Sequence, residues 1–184
     1  MVLDIADDRD DLTPNLFWEN SHEREPIRKS RNIRCLAREP RGFCRRQCIR
    51  RGFGDAPEAV AKTVRRAAEA GLIGCTSEDA TKDKAQPIYP FDTAVERITA
   101  GVEAMNALDF DFKLTGRCEN FLRGNPDLED TIRRLQVYVA AGAKVLMAPG
   151  LPNLEAVRAV CDAVSAPFNF MVGIPEKSFT FAGL

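Results

Sequence analysis

Two stretches decide the fold: Gly71-Leu72-Ile73-Gly74-Cys75-Thr76-Ser77-Glu78-Asp79, and Phe110-Asp111-Phe112-Lys113-Leu114-Thr115-Gly116-Arg117-Cys118-Glu119-Asn120-Phe121-Leu122. Each is a short apolar run that ends in charge. Leu72 to Thr76 reads as a buried strand running into Glu78, and Phe110, Phe112 and Leu114 alternate into a second strand ending near Arg117. Between them, Asp92 is placed to cap a helix with Val95, Ile98, Val102 and Met105 on its inner face. Charged residues at the carboxyl ends of successive strands are where an α/β barrel or open α/β sheet keeps its chemistry. Two acids and an arginine so placed suit a metal-assisted reaction on a small anion.

The same alternation extends both ways. Upstream, Gly52-Phe53-Gly54 reads as a strand-to-helix turn; it lacks the third glycine of a phosphate loop. Asp55-Ala56-Pro57-Glu58 then predicts a helix start, with Val60, Val64, Ala67 and Ala68 inward and Gly71 as the stop. Downstream, Asn125-Pro126-Asp127 opens a helix carrying Leu128, Ile132, Leu135 and Val139, closed at Gly142. Val145 to Ala148 is a third strand, Asn153 caps a helix with Val157, Val160 and Val164, and Pro167 to Gly173 is a fourth strand. Helices alternating with strands at this spacing imply a parallel sheet with right-handed crossovers. A closed barrel of eight such units takes about 250 residues; about four units are expected here.

The chain has 184 residues, a net charge of −1 and 45% hydrophobic residues, which suits one globular domain and gives no global reason to expect nucleic acid or membrane as partner. No apolar run approaches the roughly 20 residues of a membrane span, and the acidic start Met1 to Asp8 is unlike a signal peptide. The expectation is a cytoplasmic protein whose six cysteines are thiols, with Cys75, Cys118 and Cys161 as small core residues.

Composition changes abruptly near Arg51. Residues 1–51 hold His22, Trp18, Cys35, Cys44, Cys48 and a crowd of arginines, without period 2 or 3.6. They are expected to be an irregular leader to a domain spanning 52–184. Arg45, Arg46, Arg50 and Arg51 could meet phosphates, but only Phe43 and Phe53 offer a stacking surface. His22 with the three cysteines could ligate zinc, but their spacing matches no usual knuckle.

From Gly52 to about Thr180 the chain resembles the isocitrate lyase and phosphoenolpyruvate mutase superfamily, specifically its small bacterial branch. The resemblance rests on Gly52-Phe53-Gly54-Asp55, Gly74 to Ala80, Leu114 to Leu122, Ala148-Pro149-Gly150-Leu151-Pro152 and Asn169. It implies a (β/α)8 barrel enzyme that binds Mg²⁺ and a small 2-oxo or 2-hydroxy carboxylate. Such enzymes cleave or rearrange C–C or P–C bonds through an enolate and pair their subunits. It implies Glu78 as a metal-shell acid, Arg117 and Glu119 as catalytic residues, and Arg117 with Asn169 as substrate-binding residues. Those types suit the chemistry, since Mg²⁺ takes oxygen ligands and a guanidinium fork stabilises an enolate.

The departures are equally specific. The family's acidic pair on the third barrel strand falls here on Cys48 and Arg50, and a fixed cation repels Mg²⁺. The loop Thr81-Lys82-Asp83-Lys84-Ala85-Gln86-Pro87 lacks the lysine–cysteine–glycine–histidine signature of isocitrate cleavage, and Lys82 and Lys84 read as solvated. A frame change near Arg51 would give this break, and the last strand and pairing helices are not seen. The expected function is therefore a Mg²⁺-dependent lyase or mutase by descent, impaired in this chain. The rival reading is a non-catalytic module that docks on an intact barrel.

Overall fold

The computed structural model describes residues 53–171 and 174, together with the backbone of residues 46–49. Five parallel strands lie in neighbour order β1-β2-β3-β4-β5: β1 Arg46–Ile49, β2 Gly74–Glu78, β3 Lys113–Arg117, β4 Val145–Met147 and β5 Phe168–Asn169. Helices α1 Pro57–Glu69, α2 Phe91–Asn106, α3 Leu128–Ala140 and α4 Leu154–Ala163 connect them. Strands that neighbour each other in chain order, with a helix in every crossover, make a singly wound sheet. This is the arrangement of part of a (β/α)8 barrel and not of a doubly wound sheet, whose order reverses at a switch point.

Helices α1, α2 and α4 pack through the faces their periodicity marks, with Val60, Val64 and Ala67, then Ile98, Val102 and Met105, then Val157 and Val160 buried. On α3 the buried residues are Thr131, Arg134, Leu135 and Tyr138, while the expected Leu128, Ile132 and Val139 are only partly buried against the core. Gly101 and Gly116 set how closely the layers approach. A Cβ on Gly101 would lie 2.9 Å from Leu114 Cδ2 and 3.0 Å from Val60 Cγ1, and one on Gly116 would lie 3.1 Å from Tyr138 Cβ. Leu114 and Gly116 thus face the helices. Thr115 and Arg117, which alternate with them, face the barrel interior.

Several expectations are revised. Arg46–Ile49 forms a strand within the segment assigned to the leader, pairing Cys48 with Thr76; four residues are too few to show a period against so many arginines. The leader upstream of it, with His22, Cys35 and Cys44, whose spacing speaks against a zinc site, lies outside the described residues, as does Arg50. Asp55 does not cap α1, which starts after Ala56. Its carboxylate instead accepts the Tyr89 hydroxyl. Asp92 does not cap α2, which begins at Phe91 behind Pro90; it sits in the first turn, where its charge suits the helix dipole. Phe110 precedes β3, because its ladder partner β2 begins only at Gly74, opposite Lys113. It stays exposed, edge-on to Phe112 at 6.1 Å. Cys161 is exposed on α4, while Cys75 and Cys118 are buried.

Asp127 and Asn153 do cap their helices, accepting from Asp130 N at 2.9 Å and Ala156 N at 2.8 Å. Gly71 and Gly142, where α1 and α3 were expected to stop, have φ of 80° and 106°, a region that strains any residue with a Cβ. Among the described residues no helix is long and apolar enough to cross a membrane.

Candidate carboxylate site at the carboxyl end of the sheet

The ladder carries the interior face upward in rungs. Thr76, Thr115 and Val145 share one, and the next holds Glu78, Arg117, Met147 and Asn169. Three of the residues singled out in the sequence therefore stand on one line across four strands, at the carboxyl end where a barrel keeps its chemistry. Asn169 is separated from Arg117 by Met147. At the usual spacing of strands this is a gap of roughly 10 Å.

Glu119, beyond the end of β3, folds back beside Arg117. Its Oε1 accepts a hydrogen bond from Arg117 Nε, and its Oε2 lies 3.3 Å from Arg123 Nε. Glu78 completes the circuit, with Oε2 3.7 Å from Arg117 Nε and Oε1 3.9 Å from Arg123 Nη2. Two carboxylates and two guanidinia thus alternate around a closed ring. Glu78, Arg117 and Glu119 are buried, so the alternation offsets what would otherwise be a severe desolvation cost. Arg123 is the open member, its side chain 34% exposed.

Arg123 was missed in the sequence, although a signal was present. It follows Glu119 by four residues, and the single 3₁₀ turn Asn120–Leu122 brings it round to the same carboxylate. Arg123 is the guanidinium of the ring that solvent reaches, and the bidentate fork of arginine suits a carboxylate.

Asp79, adjacent to Glu78, points the opposite way. It is buried among the helices, accepting from Glu119 N at 2.8 Å and Tyr138 Oη at 2.8 Å, with Arg134 Nη1 at 3.4 Å. Burial raises its carboxyl above the ordinary value, and these donors offset only part of that. Burial, with the Asp79 charge, also holds the Cys118 thiol well above its usual value, so Cys118 is no ready thiolate nucleophile. The Tyr138 phenol is raised for the same two reasons and remains a donor.

The sequence model of phosphoenolpyruvate phosphomutase matches residues 49–184. The chain belongs to the phosphoenolpyruvate phosphomutase family. It is 32% identical over 131 residues to an oxaloacetate decarboxylase of Paraburkholderia xenovorans, covering 68% of this chain and 42% of that protein. It is 33% identical over 122 residues to the 2-methylisocitrate lyase of Escherichia coli, covering 63% and 40%. The crystal structure of a candidate lyase/mutase from Burkholderia cenocepacia superposes with a TM-score of 0.73 at 48% identity, over 75% of this chain and 50% of that one. The chain thus spans half or less of the length of these relatives. Two of these relatives are named for small carboxylates, oxaloacetate and 2-methylisocitrate.

A Mg²⁺ ion does not fit the donors described here. Mg²⁺ requires oxygen ligands in octahedral array with several waters. Among the described residues no three His, Cys, Asp or Glu side chains gather around one point. Glu78 and Glu119 each lie against two guanidinia.

Proposed function

We propose that the chain is by descent a Mg²⁺-dependent lyase or mutase of small 2-oxo or 2-hydroxy carboxylates, and that it keeps the carboxylate-recognition part of the site while metal-dependent turnover is impaired. The observation that carries this reading is the ring of Glu78, Arg117, Glu119 and Arg123 at the carboxyl end of β2 and β3. Arg117 takes the substrate carboxylate or the enolate oxygen, Glu119 fixes the plane of its guanidinium, and Asn169 on the same rung offers an amide to the far end of a dicarboxylate. Glu78 is the retained acid of the ancestral metal shell. Cys48 and Arg50, where the family has acids, account for the impairment.

Oxalate, a flat dicarboxylate that mimics an enolate of a 2-oxo acid, is the direct probe. Calorimetric titration should show binding to the wild-type chain that disappears in Arg117→Ala. Adding Mg²⁺ or a chelator should leave the affinity nearly unchanged. No binding by the wild-type chain would refute the carboxylate site. Oxaloacetate turnover that requires Mg²⁺ and vanishes in Arg117→Ala would refute the impairment.

A further inference from the structure

Behind the ring, on the helix side of the sheet, lies a second closed circuit that the carboxylate site does not itself use. Asp79 brackets the turn after β3 on both sides of Cys118. Its backbone N–H donates to Arg117 O at 3.1 Å, and its carboxylate accepts from Glu119 N at 2.8 Å. The other carboxylate oxygen is held by Tyr138 Oη at 2.8 Å, with Arg134 at 3.4 Å, both on α3. Arg134 Nε donates to Asp130 Oδ2 at 2.6 Å, and the same oxygen accepts from Asn120 Nδ2 at 3.0 Å. Asn120 follows Glu119, so the path closes on itself. Asn120 also donates to Thr131 Oγ1 at 3.1 Å, a second tie to α3.

We propose that Asp79 is a positioning residue for the carboxylate site, transmitting the rigidity of α3 to Arg117 and Glu119 through the bracketed turn. This rests on the reading of Arg117 as the substrate-carboxylate residue. Two features favour positioning over simple core filling. Asp79 bonds the backbone on both flanks of the turn that carries the ring, and an apolar residue of the same size could satisfy neither Glu119 N nor Tyr138 Oη. Both are buried groups that would be left without their acceptor. Residue 79 is also bonded to Tyr89 N through its carbonyl at 2.8 Å, so the β2 end is pinned and cannot follow a turn that drifts. Glu119 presents its carboxylate to Arg117 only while its own backbone is held.

The experiment compares the wild-type chain with Asp79→Ala, Asp79→Asn and Tyr138→Phe by amide hydrogen exchange and by oxalate titration. Asp79→Ala should speed exchange in the 117–123 segment selectively, leaving α2 amides at their wild-type rates, and weaken oxalate about tenfold or more. Asp79→Asn, which keeps an oxygen for Glu119 N, should restore most of the protection and of the affinity. Tyr138→Phe should fall between the two. Uniformly faster exchange in Asp79→Ala without rescue by Asn would mean a purely structural role and would overturn the proposal. Unchanged exchange in 117–123, or unchanged oxalate affinity, would overturn it as well. If the wild-type chain binds no oxalate, the carboxylate reading fails, and selective exchange in 117–123 still decides whether Asp79 holds the turn.

Discussion

Glu78 and Arg117 are ladder partners on the final rung that β2 and β3 share, both buried, with Oε2 and Nε 3.7 Å apart. Register alone sets this meeting of acid and base. A slip of one residue between the two strands would turn one of them toward the helices. It is also why the site and the stability of the sheet cannot be separated here.

Removing Arg117 leaves Glu78 and Glu119 buried with one guanidinium fewer between them. Arg117→Ala should therefore lose about 3–5 kcal/mol of stability, the usual result of orphaning a buried charge. Urea unfolding of Arg117→Ala, Glu119→Ala and the double variant checks this. The double variant should lose less than the sum of the singles, because each single strands the other's partner. Strictly additive losses would show that the hydrogen bond between them carries no coupling.

Arg123 should behave differently. Its side chain is partly exposed, and its closest carboxylate contact is 3.3 Å. Its partners Glu78 and Glu119 are buried, so Arg123→Ala should cost more than the about 0.2–1 kcal/mol of a pair exposed on both sides, and less than Arg117→Ala because water can reach the gap. Its urea midpoint should fall between wild type and Arg117→Ala, with oxalate bound several-fold more weakly because the exposed guanidinium is lost. Unaltered oxalate affinity in a stable Arg123→Ala would remove this residue from the site.

The parts of this arrangement that were legible in the sequence are those governed by local rules. Asp127 and Asn153 are caps because their side chains reach N–H groups three residues on, and Glu78 and Arg117 fall at strand ends because apolar runs stop there. What stayed hidden depends on partners distant in the chain. Arg97 is not among the inward residues that periodicity marks on α2, yet it is buried with its guanidinium on Gly54 O and Asp55 O and 4.3 Å from the Tyr89 ring. Asp79 reads, with Glu78, as one of two acids at a strand end, yet it faces the helices and its partners come from the turn after β3 and from α3. Asp55 and Asp92 mislead for a simpler reason: each has a proline near it that fixes the helix start elsewhere.

Gly116 offers a test of the contact between β3 and α3. A Cβ there would sit 3.1 Å from both Cβ and Cδ2 of Tyr138, whose hydroxyl is tethered to Asp79 and whose ring therefore cannot swing aside freely. Gly116→Ala should destabilise the chain by about 1–3 kcal/mol through overpacking. Combined with Tyr138→Ala, it should cost less, because the ring contact is gone and only the Cβ contact remains. Thermal unfolding of the two singles and the double measures this, and an equal cost in both backgrounds would place the strain elsewhere.

The pH dependence isolates Asp130. Partial burial alone would raise its carboxyl, but hydrogen bonds from Asn120 and Arg134, with the charge of Arg134, outweigh it and hold the group below its ordinary value of 3.8. Arg134 is correspondingly held charged: burial opposes its proton, and the bond to Asp130 prevails. A carboxyl depressed in the folded state contributes stability that is fully present above the unfolded value and is lost as pH falls through the folded one. Asp79 runs in the opposite sense, because burial raises it; its contribution is greatest below 3.8 and declines as pH rises through its folded value. Comparing wild type with Asp130→Asn cancels most of the Asp79 contribution, which both chains share. The difference in melting temperature should be constant near neutral pH and shrink as the pH drops below 3.8. A difference that widens on acidification would mean that Asp130 is not the acceptor that ties Asn120 to Arg134.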